Sequence, residues 1–231
     1  MEASSRWRVV VPVKGGPEAK SRLVLAAAQR RTIATAMALD CLAACLATPE
    51  VGLVVCVTDD PAVAAEARRV GAATVSAGAP GLSVAISAGL ASLAPGPVAV
   101  LVADLPCLTP ADLGAALRAA AAVDGPALVT DAEGSGSVLL AHRDGPLPHR
   151  FGTGSAAAHE AAGARRVLLP LPTLRRDVDT LDALSQALEL GVGARTREAL
   201  ACVPVPPPAR PATTAAPRVT VQHPCPEEEP A

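Results

Sequence analysis

Short runs of β-branched residues alternate along this chain with longer stretches rich in Ala and Leu. Arg8 to Val13 (RVVVPV), Gly52 to Thr58 (GLVVCVT) and Val98 to Val102 (VAVLV) are continuous apolar runs, the pattern of strands buried on both faces. Between them the composition predicts a long helix within Leu25 to Leu46, a second over Pro61 to Val70 with Pro at its start, and a third over Leu82 to Leu93. Ala73 to Val75 predicts a short strand. A fourth helix announces itself with Thr109 as N-cap, Pro110 at the first helical position and Asp112 in the first turn. Ala127 to Thr130 and Val138 to Ala141 predict strands on either side of a turn-like segment, Asp131 to Ser137. Ser155 is expected to cap a helix over Ala156 to Ala162, and Thr180 to Leu190 is expected to be a late helix. Fully apolar strands separated by helices predict the α/β class: a mostly parallel sheet with helices on both sides. Beyond Cys202 the chain turns to Pro, Ala, Thr and an acidic run, Glu227 to Glu229, with no apolar period. The expected division is one folded domain over 1–202 and a disordered Pro/Ala-rich tail over 203–231, which buries too little surface to offset its ordering entropy.

Composition narrows the partners. Half of the 231 residues are apolar, enough for a sizeable core, and the formal net charge is only -2. No basic stripe is present, and one Trp, one Phe and no Tyr leave no stacking platform, which argues against nucleic acid as a partner. No apolar run approaches the roughly 18 residues of a membrane span, and Met1 to Arg8 lacks the features of a signal peptide. A cytoplasmic location is expected. The cysteines, Cys41, Cys45, Cys56, Cys107, Cys202 and Cys225, form no CxxC pair and read as mostly free, buried thiols. Cys41 and Cys45 share a helix face, where core packing is preferred over metal binding because no other ligand completes a site.

Ligands of open α/β sheets bind outside the carboxyl ends of the strands, so polar residues just past a strand are the candidates for chemistry. After the first strand come Lys14, Lys20 and Arg22 on a glycine-containing loop, able to surround a triphosphate or simply to be solvated. After VAVLV comes Asp104, in Asp104-Leu105-Pro106, which suits a hard cation or caps a turn. Asp177 and Asp179, in Arg175-Arg176-Asp177-Val178-Asp179-Thr180, point to one side of an extended backbone and could complete a metal shell. Asp179 or Thr180 could instead cap the helix that follows. Two small-residue segments, Gly134 to Ser137 and Arg150 to Ser155, offer hydroxyl and N–H donors to a phosphate or carboxylate, or are ordinary loops. His142, His149, His159 and His223 show no triad or metal spacing and no G-x-S-x-G elbow occurs, so nucleophilic catalysis by the protein is not expected.

In this order the segments resemble one family, the guanylyltransferases of deazaflavin coenzyme (coenzyme F-420) biosynthesis, which act on 2-phospho-L-lactate or phosphoenolpyruvate. The resemblance rests on Val11 to Lys14 (VPVK) with Ala19 to Leu23 (AKSRL), Asp104 to Leu108 (DLPCL), Gly134 to Leu140 (GSGSVLL), Arg150 to Ala164 (RFGTGSAAAHEAAGA) and Leu174 to Thr180 (LRRDVDT). It covers nearly all of 8–195. Ser135 and Ser137 stand where the family usually shows Thr, Ser83 where Asn is expected, and His149 where Pro is usual. The resemblance implies a nucleotide-diphosphosugar transferase-like fold with a mixed sheet in a single domain. It implies Mg²⁺ held by Asp104, Asp177 and Asp179, GTP phosphates faced by Lys14, Lys20 and Arg22, and an acceptor acid bound by Ser137, Gly152 and Ser155. Asp104, Lys14 and Lys20 would carry catalysis. The partners implied are GTP and a small phosphorylated three-carbon acid, phosphoenolpyruvate in the Ala- and Arg-rich bacterial branch or else 2-phospho-L-lactate; a homodimer is left open. The rivals are another nucleotidyltransferase of the same fold, whose usual Leu-Ala-Gly-Gly-rich loop is not reproduced by Lys14 to Pro17, and an inactive nucleotide-binding module.

Overall fold

A computed structural model describes residues 6–14, 23 and 25–202. Among them seven strands form one sheet in the order β3-β2-β1-β4-β6-β5-β7, comprising β1 (Trp7–Pro12), β2 (Val51–Val57), β3 (Ala73–Val75), β4 (Val98–Leu101), β5 (Ala127–Thr130), β6 (Ser137–His142) and β7 (Arg165–Arg166). The helices are α1 (Ala27–Ala47), α2 (Pro61–Val70), α3 (Leu82–Ala91), α4 (Pro110–Ala121), α5 (Ser155–Ala161), α6 (Pro172–Arg175), α7 (Leu181–Leu190) and α8 (Ala194–Ala201). The pairings of these strands are parallel except for those of β6, which runs antiparallel to both β4 and β5. The sheet is therefore mixed, as the resemblance implied.

Strand alternation sorts the core into two layers. Val9 and Val11 of β1, with Ala99 and Leu101 of β4, pack beneath Leu39 and Leu42 of α1 and Leu113 and Leu117 of α4. Val10 and Val100 face the other way, toward Ile86 of α3 and Ala156 of α5. A third cluster joins Ile33 and Met37 of α1 to Val178, Leu184 of α7 and Ala199 of α8. Cys41 and Cys45 are buried in the first layer, and Cys41, Cys45, Cys56, Cys107 and Cys202 are free thiols.

The local signals act as the sequence suggests. Asp60 caps α2, its carboxylate accepting from Ala62 N and Val63 N, and Thr109 caps α4, accepting from Asp112 N at 3.3 Å. Thr180 caps α7 by accepting from Ala183 N at 3.2 Å, so the capping role falls to it and not to Asp179. One expected cap differs: Gly154, with φ 68°, is the N-cap of α5, and Ser155 is its first helical residue. The Ser155 hydroxyl instead accepts the backbone N–H of Ser137 at 2.9 Å, a tertiary contact that outcompetes the local one. The short elements β7, α6 and α8 carry too little apolar pattern of their own to be read from sequence. Among the described residues no helix is long and apolar enough to cross a membrane.

Candidate active site

The strand directions bring four strand ends to one rim. Because β6 reverses between β4 and β5, β4 and β5 run the same way, and the carboxyl ends of β1, β4 and β5 meet the amino end of β6. Asp104 follows β4, Asp131 follows β5 and Ser137 opens β6. A cleft of about 520 Å³, in the size range of small-molecule sites, opens at this rim. Asp104, Asp131, Asp177 and Asp179 line one part of it; Ser135 to Ser137 and Phe151 to Ser155 line another.

The Asp177 to Asp179 segment reaches the cleft through Val178. Its side chain is fully buried and its N–H donates to Asp104 O at 3.1 Å, so the carboxylates on either side project away from the core beside Asp104. Arg175 fastens the same segment to the end of β5, its guanidinium donating to Thr130 O at 3.1 Å and to Asp131 O at 2.8 Å. Asp131 is held in turn by Ser135 N at 2.9 Å and Gly136 N at 2.6 Å. A Cβ at position 136 would collide with the Asp131 carboxylate, which is why this turn needs glycine there.

Carboxylates this close repel. Burial first, then the neighbouring charges of Asp104, Asp179 and Asp131, push the Asp177 carboxyl up to about 7. One oxygen from each of Asp131, Glu133 and Asp177 lies within 4.8 Å of the others, and Glu133 also pairs with Arg176 at 3.1 Å. A concentration of oxygen donors that already retains a proton near neutrality fits a hard divalent cation, which would displace the proton and neutralise the repulsion.

The rest of the lining is tied together by hydrogen bonds between the two small-residue segments. The Ser137 N–H reaches Ser155 Oγ, and Ala156 N donates to Ser135 O at 3.2 Å, locking the two small-residue segments together. Ser137 Oγ lies 2.8 Å from Nδ1 of His159, whose Nε2 accepts from Arg150 N at 2.7 Å. His159 is fully buried, and the Phe151 ring meets it edge-on at 5.0 Å. Burial, with His149 and Arg150 nearby, lowers the His159 pKa and keeps the ring neutral.

Of the residues singled out from sequence, Asp104, Asp177, Asp179, Ser137, Gly152 and Ser155 share this cleft. Lys14 is exposed two residues past β1, at the same rim but outside the cleft lining. Lys20 and Arg22 lie outside the described residues, as does the tail over 203–231. Sequence reasoning missed Asp131 and Glu133. The signal for Asp131 was present, since it follows an apolar strand just as Asp104 does, but its segment read as a turn. His159 was also missed, because nothing in its spacing reveals that Ser137 and Arg150 fold onto its two nitrogens.

Residues 7–206 match a family model described as guanylyl transferase CofC like. A phosphoenolpyruvate guanylyltransferase of Salinispora arenicola is 49% identical over 203 residues, covering 85% of this chain and 93% of that protein. Another, of Thermomonospora curvata, is 44% identical over 211 residues, covering 88% and 92%. Among solved structures, a CMP:2-keto-3-deoxy-manno-octonic acid synthetase complexed with CTP matches with a TM-score of 0.54 at 15% identity, over 80% of this chain and 98% of that one. A Desulfovibrio desulfuricans protein described as a nucleotide-diphospho-sugar transferase matches with a TM-score of 0.52 at 14% identity, over 84% and 97%. At such identities the two structures speak to the fold alone.

Proposed function

Because the chain belongs to the guanylyl transferase CofC-like family, we propose that it couples phosphoenolpyruvate with GTP, giving enolpyruvoyl-2-diphospho-5'-guanosine and diphosphate, as a step of coenzyme F-420 biosynthesis. The observation that carries this reading is the cleft whose lining combines a carboxylate cluster with the hydroxyls of Ser137 and Ser155. That pairing suits two anionic substrates that must be brought together despite their charge.

An oxygen of the acceptor phosphate attacks the α-phosphorus of GTP, a new P–O bond forms, and the bond to the β-phosphate breaks with diphosphate leaving. A phosphate with its second pKa near about 6 is already largely dianionic at neutral pH, so no side chain need remove a proton. Asp104, Asp177 and Asp179, joined by Asp131, would hold a divalent cation such as Mg²⁺, which would supply neutralisation of charge on the nucleotide phosphates. On the resemblance to the family, we assign Lys14, Lys20 and Arg22 to charge compensation of those phosphates, and Ser137, Gly152 and Ser155 to the acceptor acid. What remains for the protein is alignment and charge compensation.

Incubation of the purified protein with GTP, Mg²⁺ and either phosphoenolpyruvate or 2-phospho-L-lactate, followed by diphosphate assay and product mass, tests the reading. A coupled product with phosphoenolpyruvate is expected. Product with 2-phospho-L-lactate alone would reassign the acceptor, and no acid-dependent diphosphate release would end the proposal.

A further inference from the structure

We propose that His159 is a positioning residue for the acceptor acid, fixing the Ser137 hydroxyl as a donor into the cleft through the tautomer that its two buried hydrogen bonds impose. The inference rests on the reading that the Ser137 side of the cleft takes the acid. A backbone N–H can only donate, so the Arg150 contact at 2.7 Å requires an unprotonated Nε2 on His159. The neutral ring then carries its proton on Nδ1, which donates to Ser137 Oγ across 2.8 Å. With that lone pair filled, the Ser137 hydroxyl hydrogen turns away from His159, and the space it meets is the cleft.

The neighbouring hydroxyl is set in the same sense. Ser155 Oγ accepts the Ser137 N–H at 2.9 Å, which leaves its own hydrogen to be given elsewhere, and Ser155 also lines the cleft. Both hydroxyls thus have an acceptor site used by the protein and a hydrogen left for the ligand. An acceptor-only group, a carboxylate or phosphate, matches the two hydrogens that such a pair leaves available. Neutrality of the ring is essential, since an imidazolium would set an N–H against the Arg150 N–H. The full burial of His159 and the Phe151 ring against it exclude the water that would let the ring protonate.

Two measurements test this. Nitrogen-15 shifts of the His159 ring in the wild-type protein read the tautomer directly: protonated Nδ1 with bare Nε2 is expected, and the reverse tautomer or an imidazolium overturns the proposal. Kinetics supply the second. His159→Gln keeps an acceptor near Arg150 N but loses the donor to Ser137, and is expected to raise KM for phosphoenolpyruvate about tenfold or more, with KM for GTP within about twofold. His159→Asn retains an N–H near the Nδ1 position and should restore part of the loss. In a Ser137→Ala background, His159→Gln should add almost nothing to the acid KM, because the hydroxyl it acts through is gone. Equal rises in both KM values, or independent effects of the two substitutions, would show a merely structural histidine. If Ser137→Ala leaves the acid KM unchanged, the acceptor-site reading itself fails; if Ser137→Ala raises it but His159→Gln does not, only the role of His159 fails.

Discussion

Replacing Asp177 with Asn should stabilise the cation-free protein at alkaline pH while removing its function. The native carboxyl is raised from 3.8 to about 7, by burial and then by Asp104, Asp179 and Asp131. A rise of about three pH units in the carboxyl's pKa would correspond to about 4 kcal/mol, at about 1.4 kcal/mol for each. Asp177 is only half-buried, and solvent screening brings the usable figure down to about 2 kcal/mol. The native state holds the proton more tightly than the unfolded chain does, so this contribution is fully present below pH 3.8 and is lost as pH rises through about 7. Asn carries no titrating charge and escapes the loss. In excess chelator at pH 8 the variant should therefore melt above wild type by about 4–8 °C, and near pH 4 the two should nearly coincide. Thermal unfolding followed by circular dichroism at both pH values measures this. Saturating Mg²⁺ at pH 8 should narrow or reverse the gap by binding wild type more tightly. Coincident melting at pH 8 in chelator would refute the claim that the carboxylates repel one another within this cleft.

Asp104→Asn should lower turnover at least about a hundredfold with the fold kept, checked by diphosphate release alongside the unfolding curve; near-normal turnover would remove Asp104 from the metal site. Asp40 of α1 accepts from Arg195 N at 3.3 Å and Thr196 N at 2.8 Å, acting as a remote cap for α8. Asp40→Ala should therefore cost about 1–2 kcal/mol in urea unfolding, and an unchanged midpoint would refute the capping role. Gly89 of α3 lies so close to the sheet that a Cβ would stand 2.5 Å from Val10 Cγ1 and 2.7 Å from Val57 Cγ2. The helix-propensity gain of about 1 kcal/mol from Gly89→Ala should be outweighed by overpacking of about 1–3 kcal/mol, lowering Tm; a rise would mean that α3 can move off the sheet at little cost.

How much of the site could be read in advance depends on how local its causes are. Asp104 was legible because it follows an uninterrupted apolar strand, and strand ends are where such sheets bind ligands. Asp177 and Asp179 were legible as a same-side pair because alternate residues of an extended backbone point one way, and the structure buries Val178 between them. Asp131 was hidden by the turn character of its segment, and that character is itself a product of the Asp131 carboxylate gathering the N–H groups of Ser135 and Gly136. Ser155 was expected to act on its own helix, where its hydroxyl would have been a good cap. The N–H of Ser137, 18 residues away in sequence, claimed it instead.

By itself the sequence determined the larger elements, though not β7, α6 or α8: apolar runs made the strands, Pro61 and Thr109 to Asp112 opened their helices, and the ordered motifs pointed to the family. Those causes act within a few residues, so they survive in a linear string. Only the tertiary structure decided that β6 runs backwards between two parallel strands, and that reversal carries Ser137 to the rim where Asp104 and Asp131 emerge. The tautomer of His159 and the raised pKa of Asp177 belong to the same level, because each is set by groups distant in the chain that burial holds within reach.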